Sequence, residues 1–444
     1  MSIKISDHFT FGRLIRFCLP SMVMMLFTSI YGVVDGLFVS NFAGKTSFAA
    51  INLILPFSMM MGGIGFMIGT GGSALVAKTL GEGDRNTADR FFSMMVKLTA
   101  MCGITLSVIG FLLVPKAAVI LGATEDMLGD CVLYARTLMI FNTAFMLQNV
   151  FQSFFVAAEK PKLGLAFTVA AGVTNMVLDA LFIGVFRWGV VGAAVATGIS
   201  QTVGGVLPII YFISKKNSSL LHLRSVKLEM RPIANTCLNG SSELMTNISV
   251  SLVSMLYNLR LMEYAGENGV AAYGVLMYVQ FIFIGFFIGY CIGMAPVVGY
   301  NYGAQNRPEL KNVLKKSLIF MGVSGIVMMC IARLAASPTA KLFVGYDAEL
   351  FGLTRHAFSL FSFSFLLAGL NIFLSAFFTA LNNGPVSALI SFMRTLVFQA
   401  LCVIVLPMIL DIDGIWLAMT FAEVFAFLLA AMLLLANRKK YGYL

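Results

Sequence analysis

The sequence predicts an all-α integral membrane protein, with twelve transmembrane helices in two pseudo-symmetric six-helix lobes around a central cleft. Three observations carry that expectation. The 444-residue chain is 59% hydrophobic and only 11% charged, whereas soluble domains carry about 25% charged residues. Nearly uncharged runs of about 20 residues, the length that crosses ~30 Å of hydrocarbon, recur along the whole chain. Features of the first half return in the second at an offset of 222 residues, half the length. The apolar runs are continuous rather than alternating, which points to helices and away from a β-barrel.

Taken in order, the spans fall at 14–39, 48–78, 93–115, 133–158, 163–186, 190–213, 236–261, 270–300, 315–336, 352–380, 387–409 and 414–436. Several are longer than a perpendicular crossing needs, which allows tilt or kinking. Pro20, Pro56, Pro208 and Pro296 lie inside spans and are the expected kinks. With the N-terminus in the cytoplasm, 21 Lys and Arg fall on the inner side and eight outside, with Arg394 inside a span. That asymmetry follows the positive-inside rule. Arg438, Lys439 and Lys440 place the C-terminus on the same side, which requires an even number of spans. Such loops facing anionic lipid headgroups account for the net charge of +10. No basic stripe with interleaved aromatics suggests a nucleic-acid partner. The seven cysteines show no CxxC or Cys/His spacing and read as small core residues. No cleavable signal peptide is evident, because the first apolar segment runs on to Asp35 without a small-residue cleavage site.

The repeat is a constant offset rather than one strong match. Ala49-Ala50 meets Ala271-Ala272, Gly71 meets Gly293, Gly81 meets Gly303, Arg85 meets Arg307, Gly192 meets Gly414 and Ala196 meets Ala418. Six spans per half give both halves the same membrane orientation, so the axis relating them runs along the membrane normal. The chain then divides into one lobe over 1–213, a polar cytoplasmic linker over 214–231 and a second lobe over 232–444. The linker is expected to be a loop with a short amphipathic helix at the membrane surface, Lys215 and Lys216 included. Two lobes around a cleft meet the requirement of alternating access, in which one site faces either side without a continuous pore.

Ionisable groups deep in a span cost about 2.5–3.5 kcal/mol on insertion scales, so each needs a reason to be there. Asp35 in span 1, Asp179 in span 5 and Thr197 in span 6 fall at a similar depth, in the outer half of the first lobe. Asn175 and Tyr31 precede the two aspartates by four residues each and share their helix faces. Two carboxylates, an amide and two hydroxyls make a set that can take up H⁺ or coordinate Na⁺ through oxygen, then release it when the cavity changes sides. Pro20, fifteen residues before Asp35, removes a backbone hydrogen bond and marks a candidate hinge. In the second lobe Arg394, Gln399 and Glu423 form a candidate polar network, read first as a structural Glu423–Arg394 pair. No catalytic constellation, metal-ligand spacing or cofactor motif stands out, and no GxxxxGK[ST] loop is present.

These residues resemble the multidrug and toxic compound extrusion (MATE) family over the whole chain. The resemblance rests on Pro20, Tyr31 and Asp35-Gly-Leu-Phe-Val in span 1, Asn175 and Asp179 in span 5, and Gly192-Ala193-Ala194 in span 6. The run Pro296-Val-Val-Gly-Tyr-Asn301-Tyr302-Gly303-Ala304 is the most diagnostic. Within the family the pattern is similar to the DinF-like branch. The resemblance implies a monomeric antiporter of the bacterial inner membrane that exports lipophilic, mostly cationic compounds. Inward H⁺, ahead of Na⁺, would drive it by alternating access. It also implies that Tyr31, Asp35, Asn175, Asp179 and Thr197 form the coupling site and that span 1 bends at Pro20. Span 10 has no carboxylate, a departure from members with acids in spans 7 and 10. The rival reading is a lipid or lipid-linked oligosaccharide flippase of related design, which would need several inward-facing Arg or Lys.

Overall fold

The computed structural model describes residues 3–42, 45–214, 216–345 and 347–443, so Lys215 lies outside the described residues. Helix dominates, and no strand occurs among them. The first six helices are α1 (Phe11–Phe42), α2 (Lys45–Gly81), α3 (Arg85–Ile120), α4 (Glu125–Ala157), α5 (Pro161–Asp179) and α6 (Gly189–Ile213). The helical segment Met230–Gly303 is interrupted at Gly266 (φ 58°, ψ −150°), giving α7 (230–265) and α8 (267–303). Next come α9 (Arg307–Val344), α10 (Ala348–Ala380) and α11 (Gly384–Val405). Pro407–Tyr441 is interrupted at Asp411 (φ 49°, ψ −136°), leaving α12 (412–441). Ten helical segments among the described residues are long and apolar enough to cross a membrane, and Met230–Gly303 is two spans within one of them. The remaining, more polar span is α4, whose buried face carries Asn142, Gln148, Asn149, Gln152 and Ser153.

The helices run through Pro20, Pro56, Pro208 and Pro296 without a non-helical residue at any of them. The backbone turns between spans at Gly266 and Asp411, which adopt a positive φ that helices exclude. Among the described residues, three departures from α geometry fall inside spans, one of them a 3₁₀ turn over Ser362–Ser364 in α10. A π-helical turn over Ala180–Val185 follows α5, and another over Met393–Val397 lies within α11. Such turns widen the helix by one residue and gather at functional sites.

Helix stops echo between the halves. Glu159 and Asn382 both take φ 58°, ending the fourth and tenth spans. Asp84 caps α3 by accepting the Thr87 N–H, and Asn306 caps α9 by accepting the Glu309 N–H. The sequence offset therefore corresponds to repeated local chemistry, an acceptor side chain satisfying a free helical N–H.

The lobes close on each other at the face that carries both chain termini, here called the terminal face. Contacts across this seam come in symmetric pairs. A Cβ on Gly81 would collide with the Tyr300 carbonyl, and one on Gly303 with the Lys78 carbonyl. Shifting either contact by 222 residues produces the other. Likewise Gly71 abuts Gly240, and Gly293 abuts Cys18. The seam is thus two copies of one contact, as in an isologous dimer interface. Glycine is needed there because backbone meets backbone. Asn382 also crosses the seam, donating to the Ala74 carbonyl at 3.3 Å.

Residues 218–229 correct one expectation: they form no amphipathic helix. They run extended along α3, because α3 side chains satisfy their backbone. Asp89 accepts from the His222 N–H at 2.9 Å, Ser93 accepts from the Arg224 N–H at 2.9 Å, and Lys97 donates to the Val226 carbonyl at 3.2 Å.

Candidate functional site

Helices α1, α5, α6 and α4 converge on the polar centre of the first lobe. Asp179 ends the regular part of α5, where the π-helical turn begins, and is fully buried. Its carboxyl adjoins that of Asp35 from α1. Neither Asp179 oxygen, nor Asp35 Oδ1, has a conventional hydrogen-bond partner among the described residues. One turn deeper, Asn175 is buried and donates to Thr197 Oγ1 on α6 at 3.4 Å. Tyr31 lies beside Asp35 and Gln148. It reaches that position because Gly172 on α5 leaves room; a Cβ there would sit 2.8 Å from the Tyr31 ring.

All five residues singled out in the first lobe therefore meet at one place. Two more join them that sequence reasoning did not select. Tyr134, buried on α4, lies near both aspartates. Gln148, also on α4, reaches Tyr31 and leaves its Oε1 without a partner. A Tyr or Gln in a span is unremarkable by composition, and only the α4 packing marks these two. The available signal was the unusual run of amides on that helix.

Buried acceptor oxygens without donors are costly, and nearby carboxylates cannot both stay charged in a dry site without a cation or proton between them. The arrangement can therefore hold one proton between Asp35 and Asp179, or a small cation among carboxylate, amide and hydroxyl oxygens. Among the described residues, no group of three or more His, Cys, Asp and Glu is placed to hold a metal ion.

The second lobe is organised differently. Arg394, in the π-helical turn of α11, donates from Nε to both Glu423 oxygens at 2.9 and 3.0 Å, and its Nη2 lies 2.8 Å from Oε1. Asn371 on α10 donates to Glu423 Oε2 at 2.6 Å and to its backbone carbonyl at 2.9 Å. All three residues are buried. The pair is thus satisfied within the lobe. Gln399 is half-buried and makes no hydrogen bond with it among the described residues. Asn371 was the missed member, an amide in the span examined only for carboxylates. Glu243, on α7, comes near Arg394 from the seam side.

Sequence comparison fits this two-lobed plan. The MatE family model matches residues 20–181 and again 244–405, once per lobe and more than half of the chain in total. The chain belongs to the MatE family. This MatE protein is 24% identical over 407 residues to the multidrug export protein MepA of Staphylococcus saprophyticus, covering 91% of this chain and 88% of that one. It is also 24% identical over 436 residues to MepA of Staphylococcus haemolyticus, covering 97% and 94%. A crystal structure of a MATE in complex with MaL6 has the same fold, with a TM-score of 0.90, 23% identity and 96% of each chain covered. This MatE chain is accordingly a multi-pass membrane transporter and not an enzyme.

Proposed function

We propose that this MatE transporter exports lipophilic, mostly cationic compounds in exchange for H⁺, ahead of Na⁺, with Asp35 and Asp179 as the coupling site. The observation that carries the reading is the adjoining pair of buried carboxyls on α1 and α5, which lack conventional donors. Relatives described as multidrug export proteins support the substrate class. Asn175, Thr197 and Tyr31 hold the pair in register, and Pro20 is the point at which α1 yields. The protein works as a monomer in the bacterial inner membrane with both termini cytoplasmic. The closed terminal face then makes this the state open to the outside. Proton uptake from outside neutralises the aspartates and favours the arrangement that releases substrate. The driving force is the difference in proton affinity between the two lobe arrangements. Residues 1–213 and 232–444 form the moving lobes, with 214–231 joining them. The pattern of Asp35, Asn175 and Asp179 supports a DinF-like reading of the chain. A flippase would need several free cations lining the cleft, but Arg394, buried in a span of the second lobe, is already paired with Glu423.

Ethidium transport in proteoliposomes under an imposed pH gradient, and separately a Na⁺ gradient, tests the reading. Gradient-driven transport in the wild type, abolished in Asp35→Asn and in Asp179→Asn with both variants folded, is the expected result. Full transport in both variants would overturn the coupling site, and no ethidium movement under either gradient would overturn cation export.

A further inference from the structure

The segments that lead into the first span of each lobe share a pattern outside the coupling site. Residues 5–9 precede α1 but dock on α9 of the other lobe. Glu309, buried at the start of α9, accepts from the Phe9 N–H at 2.9 Å and pairs with His8 Nδ1 at 2.6 Å. Asn312 and Lys316, on the same face of α9, donate to the Phe9 carbonyl at 3.0 and 2.6 Å. Phe9 is fully buried, and the same strap reaches the first lobe, where Glu159 accepts from the Ile5 N–H at 2.8 Å. Residues 219–229 precede α7 of the second lobe but dock on α3 of the first. Asp89, Ser93 and Lys97 grip them as described above, and Arg224 pairs with Asp89 at 3.0 Å. Leu221 is the fully buried anchor here.

The two grips use the same kinds of side chain, although not at equivalent positions. At the 222-residue offset Asp89, Ser93 and Lys97 would fall on Lys311, Lys315 and Ile319, and Glu309, Asn312 and Lys316 lie two or three residues earlier on their helix. In each case an acid takes a strap N–H, a short polar side chain follows one turn on, and a lysine two turns on takes a strap carbonyl. Acid, polar and lysine side chains at these spacings share one helix face. A membrane-surface loop could satisfy its backbone with water, so buried acids that instead capture these N–H groups need a reason.

We propose that the two straps form a reciprocal clasp that holds the terminal face closed. Each strap is continuous with the first span of one lobe and bound to the third span of the other. Separating the lobes at this face must therefore peel both straps or drag them across the seam. Charge-assisted hydrogen bonds of this kind are the stronger class, and the two acids, Asp89 and Glu309, are withdrawn from water. The clasp biases the transporter toward the state open on the opposite face, and it acts whichever ion the coupling site uses.

Native Cys18 reports on the seam, since it is fully buried against Gly293. The decisive experiment releases the strap that does not touch it. In the full chain in lipid nanodiscs, Asp89→Ala should speed hydrogen–deuterium exchange of residues 219–229. It should also raise the rate of Cys18 labelling by N-ethylmaleimide about tenfold, read by peptide mass spectrometry. Cys131, buried in the first lobe, serves as the control. Lys97→Met, which keeps the aliphatic stem, should act in the same direction and carries the test if Asp89→Ala exposes Cys131. Faster exchange of 219–229 with Cys18 labelling unchanged would overturn the clasp and leave the strap a local anchor. Unchanged exchange in both variants would overturn the grip itself.

Discussion

Arg394 and Glu423 form a buried ion pair with three short contacts, closed on its remaining side by the Asn371 amide. The pair joins α11 to α12 and sits at a π-helical turn, just as Asp179 does in the other lobe. One lobe thus keeps its buried charge neutralised by a fixed partner, while the other keeps two acids together without one. That asymmetry within a symmetric frame separates scaffold from site.

The pair should be structural. Removing one partner strands a buried charge, so Arg394→Met and Glu423→Leu should each destabilise the protein by about 3–5 kcal/mol. The double variant should recover most of that loss, because both charges are then gone. Thermal unfolding of the three variants in one detergent forms the double-mutant cycle. Equal and additive losses would show that the two side chains do not interact.

Thr197 accepts the Asn175 amide and so fixes it one turn below Asp179. Thr197→Val keeps the shape and removes the acceptor. Transport should then need a several-fold higher concentration of coupling ion for half-maximal rate, with the maximal rate largely preserved. Initial rates against external pH, and against Na⁺, measure this; an unchanged ion dependence would remove Thr197 from the site.

The seam makes a symmetry prediction. Gly81→Ala and Gly303→Ala place a methyl group against equivalent carbonyls, those of Tyr300 and Lys78. Overpacking against backbone costs about 1–3 kcal/mol because neither side can turn away. Both variants should open the terminal face and slow transport to a similar extent, as read by transport rate and Cys18 labelling. A large effect from one and none from the other would show that the lobes do not meet as equals.

Pro20 removes one hydrogen bond from α1, which nevertheless runs helical from Phe11 to Phe42. Pro20→Ala restores that bond and should raise thermal stability while lowering transport, if α1 bends there during the cycle. Stability raised with transport unchanged would mean that α1 moves as a rigid rod.

Much of this was legible in the sequence. Twelve spans follow from apolar length, because lipid forces every backbone group in a span to be satisfied within a helix. The two-lobe plan follows from a constant offset, since repeated residues repeat their local caps and turns. Asp35 and Asp179 stood out because a charged group in a span is costly enough to demand a purpose, and Asn175, Tyr31 and Thr197 followed from their spacing and depth relative to them. Tyr134, Gln148 and Asn371 did not stand out, because uncharged side chains carry no comparable penalty and only packing shows what they face. The prolines gave no sign of where the backbone turns between spans: the helices continue through all four, whereas Gly266 and Asp411 turn through a positive φ. Residues 214–231 read as a membrane-surface loop because amphipathic composition gives no sign of a binding partner. The sequence by itself determined the spans, the repeat and the acids that require explanation. Only the tertiary structure decided which of those acids are paired, how glycines match across the seam, and where the straps lie. Such contacts join residues from 29 to 300 or more positions apart, and no local propensity records them.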